Sequence, residues 1–158
     1  MNFRPVELPG SVRGSLWLSA MPGRFGSWRD FERRAQAAGL RVVVCLTPQD
    51  EIEELAPDYA AAVLRGEGPY EWVHLPVPNF GVPPDARGFR QAIGRIAQRL
   101  QAGDAVLMHC AAGMGRTGSA AACVLKALGL STEEALQRVR DAGSNPQNAA
   151  QSGFVDWF

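Results

Sequence analysis

Short apolar runs alternate with amphipathic stretches along the whole chain, and Pro and Gly punctuate them without any repeat or low-complexity tract. Ser15-Leu16-Trp17-Leu18-Ser19 has the length and bounds of a short strand. Ser27-Trp28-Arg29-Asp30 then opens a helix with a capping box, and Gly39 is placed to close it. Arg41 to Leu46 contains Val42-Val43-Val44-Cys45, a continuous run typical of a strand buried on both faces. Thr47-Pro48-Gln49-Asp50 reads as a helix start with a hydroxyl cap and a proline at the first helical position. Pro57 should end that helix, and a short one follows over Asp58 to Arg65.

Tyr70 to Leu75 reads as the next strand, whereas Pro76 to Pro84 holds four prolines in nine residues and can be neither helix nor central strand. Phe89, Ile93, Ile96 and Leu100 recur at steps of four, three and four, which places them on one face of a helix that Gly103 ends. Ala105 to His109 is a buried strand; a glycine-rich turn leads from it into a helix over Thr117 to Leu128, with Gly129 as its C-terminal cap. Ser131-Thr132-Glu133-Glu134 is a second capping box, and Gln151 to Phe158 is a last helix. This alternation predicts an α/β fold with a mostly parallel central sheet flanked by helices. Ligands of such sheets bind beyond the carboxyl ends of the strands, which is where the glycine-rich turn lies.

Composition narrows the reading. At 158 residues and 46% hydrophobic, the chain fits a single domain spanning 1–158. Sixteen basic and sixteen acidic residues cancel, and no basic tract stands out, so neither nucleic acid nor an anionic membrane is an expected partner. Any anion it binds must be held by local geometry. Met1 to Gly10 has no apolar run long enough for a signal peptide or a span, so a cytoplasmic, monomeric protein is expected. Cys45, Cys110 and Cys123 are odd in number and lack metal-like spacing, and with His74 and His109 as the sole histidines no metal site is expected.

The chemistry concentrates in His109-Cys110-Ala111-Ala112-Gly113-Met114-Gly115-Arg116-Thr117. Backbone N–H groups curled into a nest at a helix N-terminus converge on the oxygens of a phosphate dianion, and Gly113 and Gly115 permit the curl. Arg116 adds a planar fork that matches two phosphate oxygens and stays charged. The same dipole and guanidinium favour the thiolate of Cys110 as a nucleophile. Thr117 is placed to donate to that sulfur, and His109 to orient the loop by hydrogen bonds without carrying protons.

These residues resemble the protein-tyrosine and dual-specificity phosphatases, whose signature is His-Cys, five residues, then Arg-Ser/Thr; residues 109–117 match it throughout. The resemblance extends from about Leu16 to Phe158, and the short length and Ala111 are similar to the small atypical and kinase-associated branches. It implies the family fold, hydrolysis of phosphotyrosine, with phosphoserine and phosphothreonine as further substrates, through a phosphocysteine on Cys110, no cofactor, and a phosphorylated protein or peptide as substrate. The loop residues Ala111, Ala112 and Met114 are neutral, which disfavours a polyphosphoinositide. Cys45, at the end of the neighbouring strand, is either a buried core thiol or the partner of Cys110 in a protective disulfide.

The resemblance breaks at one position. Leu75-Pro76-Val77-Pro78-Asn79-Phe80-Gly81-Val82-Pro83 looks like the family's general-acid loop, yet Asn79 stands where the family has Asp, and an amide neither protonates a leaving oxygen nor activates water. Asp85 has two readings, a helix N-cap and a replacement acid. Gln151, with Gln147 as the lesser candidate, matches the glutamine that positions the hydrolytic water. Two rivals remain: a phosphate-reading, pseudophosphatase-like module with little turnover, and a nucleotide or RNA phosphatase.

Overall fold

A computed structural model describes residues 2–66 and 68–158, so Met1, part of the N-terminal segment considered above, lies outside the described residues. The elements in chain order are β1 (Arg4–Val6), β2 (Ser15–Ser19), α1 (Trp28–Ala38), β3 (Leu40–Cys45), α2 (Gln49–Leu55), α3 (Pro57–Arg65), β4 (Glu71–His74), α4 (Ala86–Gln101), β5 (Ala105–His109), α5 (Gly115–Ala127), α6 (Thr132–Asp141) and α7 (Ala149–Trp157). The strands form one sheet in the order β1-β2-β5-β3-β4. β2, β5, β3 and β4 run parallel, and β1 is added antiparallel to β2 at one edge.

Both faces of the sheet are covered, as the β-branched run of β3 requires. Val42 and Val44 turn to a core shared with Leu16, Leu18, Val106 and Met108, packed under α4, α5, α6 and α7. Val43 turns the other way with Leu107, Phe31 and Ala35, while Cys45 joins Met21, Ile52 and Tyr59. The expected face of α4 is buried, with Phe89, Ile93, Ile96 and Leu100 all at 5% exposure or less. Among the described residues no helix is long and apolar enough to cross a membrane.

Two of the expected hydroxyl caps form and one does not. Ser27 accepts Asp30 N–H, Ser131 accepts Glu134 N–H, and Gly39 closes α1 in the left-handed conformation. Thr47, expected as the cap of α2, does not cap it: Pro48 occupies that place with no side-chain bond, and the Thr47 hydroxyl is buried without a partner. The chain turns inward there because the Thr47 carbonyl bonds His74 Nε2 at 2.7 Å. α7 begins two residues earlier than its apolar pattern implies, since Asn148 caps it by accepting Gln151 N–H. β1, which contains Pro5, is not foreseen; proline is tolerated there because the strand lies at an edge.

Candidate active site

Strand β5 is central in the sheet, so its carboxyl end delivers His109 and Cys110 to the place where its neighbours β2 and β3 also end. The chain then curls into the N-terminus of α5 around a cavity lined by Cys110, Ala111, Ala112, Met114, Gly115 and Arg116, together with Arg24, Glu51, Leu55, Asn79, Phe80 and Gln147.

The curl is fixed by where its carbonyls go. Cys110 C=O faces His109 Nδ1 at 3.1 Å. Ala111 C=O accepts Arg24 Nη1 at 2.9 Å and Met21 N–H at 3.3 Å. Gly113 C=O accepts Arg4 Nη2 and Ser144 Oγ, each at 2.6 Å. The described residues contain no cis peptide, so a carbonyl held on one side puts the next N–H on the other. The amides of Ala112 and Met114 therefore face away from these tethers, toward the cavity their residues line. Gly113 N–H points at Cys110 Sγ, 3.2 Å away. Only glycine fits at 113: its φ is +77°, and a Cβ would come within 2.5 Å of the Ser19 carbonyl oxygen.

His109 is neutral and its tautomer is defined by a chain of donors. Trp72 Nε1–H donates to Tyr59 Oη at 2.9 Å, which leaves the tyrosine proton for His109 Nε2 at 2.7 Å. Nδ1 then carries the ring proton and donates to Cys110 C=O. Burial pulls the imidazole down to about 4, with Arg116 adding in the same direction.

Arg116 is 3% exposed and does not wait empty-handed. Nη1 and Nη2 donate to the two carboxylate oxygens of Glu51 at 3.1 and 3.0 Å, and Nη1 also donates to Val77 C=O at 3.0 Å. A guanidinium has five N–H groups. These contacts use its end, leaving Nε–H and the adjacent Nη2–H, a side-on fork, for two oxygens of an oxyanion.

Other sequence-stipulated residues are placed as follows. Thr117 Oγ1 is buried without a hydrogen-bond partner, so its suggested bond to the sulfur is not formed; Gly113 N–H takes that role. Asn79 lines the cavity. Asp85 does not: its carboxylate caps α4 by accepting Gly88 N–H at 3.1 Å, beside Pro83 and Pro84. Gln147 lines the Cys110 cavity, whereas Gln151 is 1% exposed and braces the site, accepting Gln147 N–H and donating to Gly81 C=O. Cys45 is a free thiol in register with His109, packed with Met21, Ile52 and Tyr59, where burial pushes it up to about 11. The described residues contain no cluster of His, Cys, Asp and Glu fit to hold a metal.

Sequence reasoning misses Arg4, Arg24, Glu51, Tyr59 and Ser144. Glu51 sits in the run Asp50-Glu51-Ile52-Glu53-Glu54, where acidic residues in a first helical turn need no further cause. Arg4, Arg24 and Ser144 act on carbonyls, which leave no trace in side-chain spacing.

Three comparisons bear on this geometry. A family model described as "Swiss Army Knife protein, DSP-PTPase phosphatase domain" matches residues 23–153. Among solved structures, a kinase-associated phosphatase with serine replacing its catalytic cysteine superposes with a TM-score of 0.84 at 19% identity, covering 98% of this chain and 92% of that one. Tk-PTP in its active form gives 0.70 at 27% identity over 94% and 95% of the two chains, and PTPMT1 gives 0.70 at 18% over 99% and 92%. A sequence search of curated proteins finds no match. A phosphatase-domain model that spans most of the sequence, on a fold shared along nearly its whole length, means that this chain belongs to the dual-specificity/protein-tyrosine phosphatase domain family.

Proposed function

We propose that the domain is a cysteine-dependent phosphomonoesterase that prefers aryl phosphates, phosphotyrosine in a protein or peptide above all. The observation that carries this reading is the side-on fork of Arg116, free in the same cavity as Cys110 Sγ while Glu51 and Val77 fix its other end. A phosphate placed there meets the fork and the Ala112 and Met114 amides. Sulfur attacks phosphorus as the ester P–O bond breaks, and the electron pair leaves with the phenolate, which takes a proton from water. Water held by Gln147 then attacks phosphorus, the S–P bond breaks, inorganic phosphate departs and the thiolate returns; the Thr117 hydroxyl, unpartnered in the free site, is available to that sulfur.

The aryl preference follows from the missing acid. Glu51 is the carboxylate lining the cavity among the described residues, and Arg116 holds it. A phenol with pKa about 10 leaves with far less protonation than a serine or threonine alkoxide. Leu55, Phe80 and Met114 offer apolar surface to the ring, and among the described residues Arg24 and Arg116 are the cations lining the cavity, which does not suit a polyphosphoinositide or an RNA strand.

Steady-state assays on phosphotyrosine, phosphoserine, phosphothreonine and phosphoinositide substrates, with acid-quench trapping of phosphocysteine, test the proposal. Sustained turnover on phosphotyrosine, lost in Cys110→Ser, is expected. One burst of aryl product without further turnover would instead identify a phosphate-reading module.

A further inference from the structure

Behind the loop, on the side away from the cavity, the guanidinium of Arg4 is built into a cradle. Nη1 donates to Ala142 C=O at 2.6 Å and to Ser144 Oγ at 2.9 Å, while Nη2 donates to Gly113 C=O at 2.6 Å. Ser144 is 1% exposed and passes its own proton to the same Gly113 oxygen. Room for the guanidinium comes from Gly143, at φ +89°: a Cβ there would lie 2.9 Å from Arg4 Nη1. The cation also sits just past the C-terminus of α6, where the helix dipole favours positive charge.

We infer that Arg4, with Ser144 as its relay, is a positioning residue of the phosphate-binding loop: together they hold the Gly113 carbonyl outward, so that the Met114 amide of the same peptide faces the oxyanion. The inference rests on the phosphate-binding reading of the loop given above. A charge-assisted bond from the half-buried Arg4 and a second bond from the buried Ser144 hydroxyl, both to one carbonyl, resist a flip of that peptide, which would turn an oxygen toward the incoming anion. The cation lies within electrostatic reach of the nucleophile: burial pulls the Arg4 guanidinium down from its ordinary value, and charge attraction to the Cys110 sulfur pushes it back up. A strand at the sheet's edge thus reaches across to set the electrostatics of a loop more than a hundred residues later.

Arg4→Met, Arg4→Lys and Ser144→Ala test this in the whole protein, with thermal unfolding as the check on folding. Three readouts are taken: the pH dependence of Cys110 alkylation by iodoacetamide, mapped by mass spectrometry; vanadate affinity by calorimetry; and kcat and KM on p-nitrophenyl phosphate. Arg4→Met should raise the alkylation midpoint by about one pH unit and weaken vanadate by about tenfold, with kcat falling more than KM changes. Arg4→Lys should restore the midpoint, since the charge is kept, but not the vanadate affinity, since one ammonium cannot span Ala142, Ser144 and Gly113 as the fork does. Ser144→Ala should weaken vanadate in the same direction with the midpoint unmoved. A folded Arg4→Met with wild-type midpoint and vanadate affinity overturns the inference, leaving Arg4 as a mere tie between β1 and α6. If Arg4→Met does not fold, wild-type vanadate affinity in both Arg4→Lys and Ser144→Ala overturns it equally. Wild-type protein that neither binds vanadate nor turns over aryl phosphate would sink the proposed function instead, and the alkylation midpoints would still decide the part played by Arg4.

Discussion

Glu51 grips Arg116 end-on, oxygen to nitrogen at 3.1 and 3.0 Å, so the guanidinium is aimed before any ligand arrives. An arginine with three rotatable methylenes would otherwise lose rotamer freedom on each binding event. Glu51→Ala should therefore lower kcat/KM on aryl phosphates by about 10²-fold, with Glu51→Gln intermediate because it keeps one acceptor. Steady-state kinetics check this, and faster turnover in Glu51→Ala would show that the carboxylate blocks the site.

Asn79 and Asp85 separate two roles that the sequence leaves entangled. Asn79→Asp should raise turnover, more on alkyl than on aryl phosphates, within the roughly 10²–10⁴ that an acid supplies. Asp85→Ala should leave turnover unchanged and cost about 1 kcal/mol as a lost cap, while Asp85→Asn, a good cap itself, should cost little. Loss of activity in Asp85→Asn would place that carboxylate in the chemistry.

His109 makes the fold sensitive to acid. Its imidazole titrates at about 4 in the fold against an ordinary 6.5, so between these values the unfolded chain binds more protons. The contribution is complete above the higher value and is lost as pH falls toward the lower one, amounting to roughly 3 kcal/mol. Thermal unfolding of wild type and His109→Gln at about pH 7.5 and about pH 4.5 should show the wild-type advantage shrinking in acid. A difference independent of pH would mean that the imidazole is protonated within the fold.

The three thiols should react unequally. Burial pushes Cys45 up to about 11 and Cys123 up to about 12, and both are fully enclosed. Brief iodoacetamide treatment of native protein should label Cys110 alone. Peroxide followed by non-reducing mass mapping should find oxidised Cys110 with Cys45 free, because the two side chains lie on different faces of the sheet. A Cys45–Cys110 disulfide would require the end of β3 to rearrange.

What could be read from the sequence was whatever expresses itself in side-chain pattern. The valine run of β3, the helical period of Phe89 to Leu100 and the Ser27 and Ser131 caps each state a local preference that the packing upholds. The loop from His109 to Thr117 was equally legible, since nucleophile, glycines and arginine stand together. The supports were not. Thr47 fails as a cap because a distant histidine claims its carbonyl, and Gln147 lies ahead of α7 because that helix starts early on Asn148. Arg4, Arg24 and Glu51 meet the loop only through the fold, so no spacing in the chain announces them.

The burial pattern of the loop divides labour between neighbouring residues. Cys110, Gly113, Gly115 and Arg116 are enclosed, whereas Ala112 and Met114 stand exposed between them. The backbone that forms the socket is thus independent of the side chains that form its rim. Exchanging Ala112 and Met114 for charged or bulkier residues should therefore alter which ligands enter while leaving the socket beneath as it is.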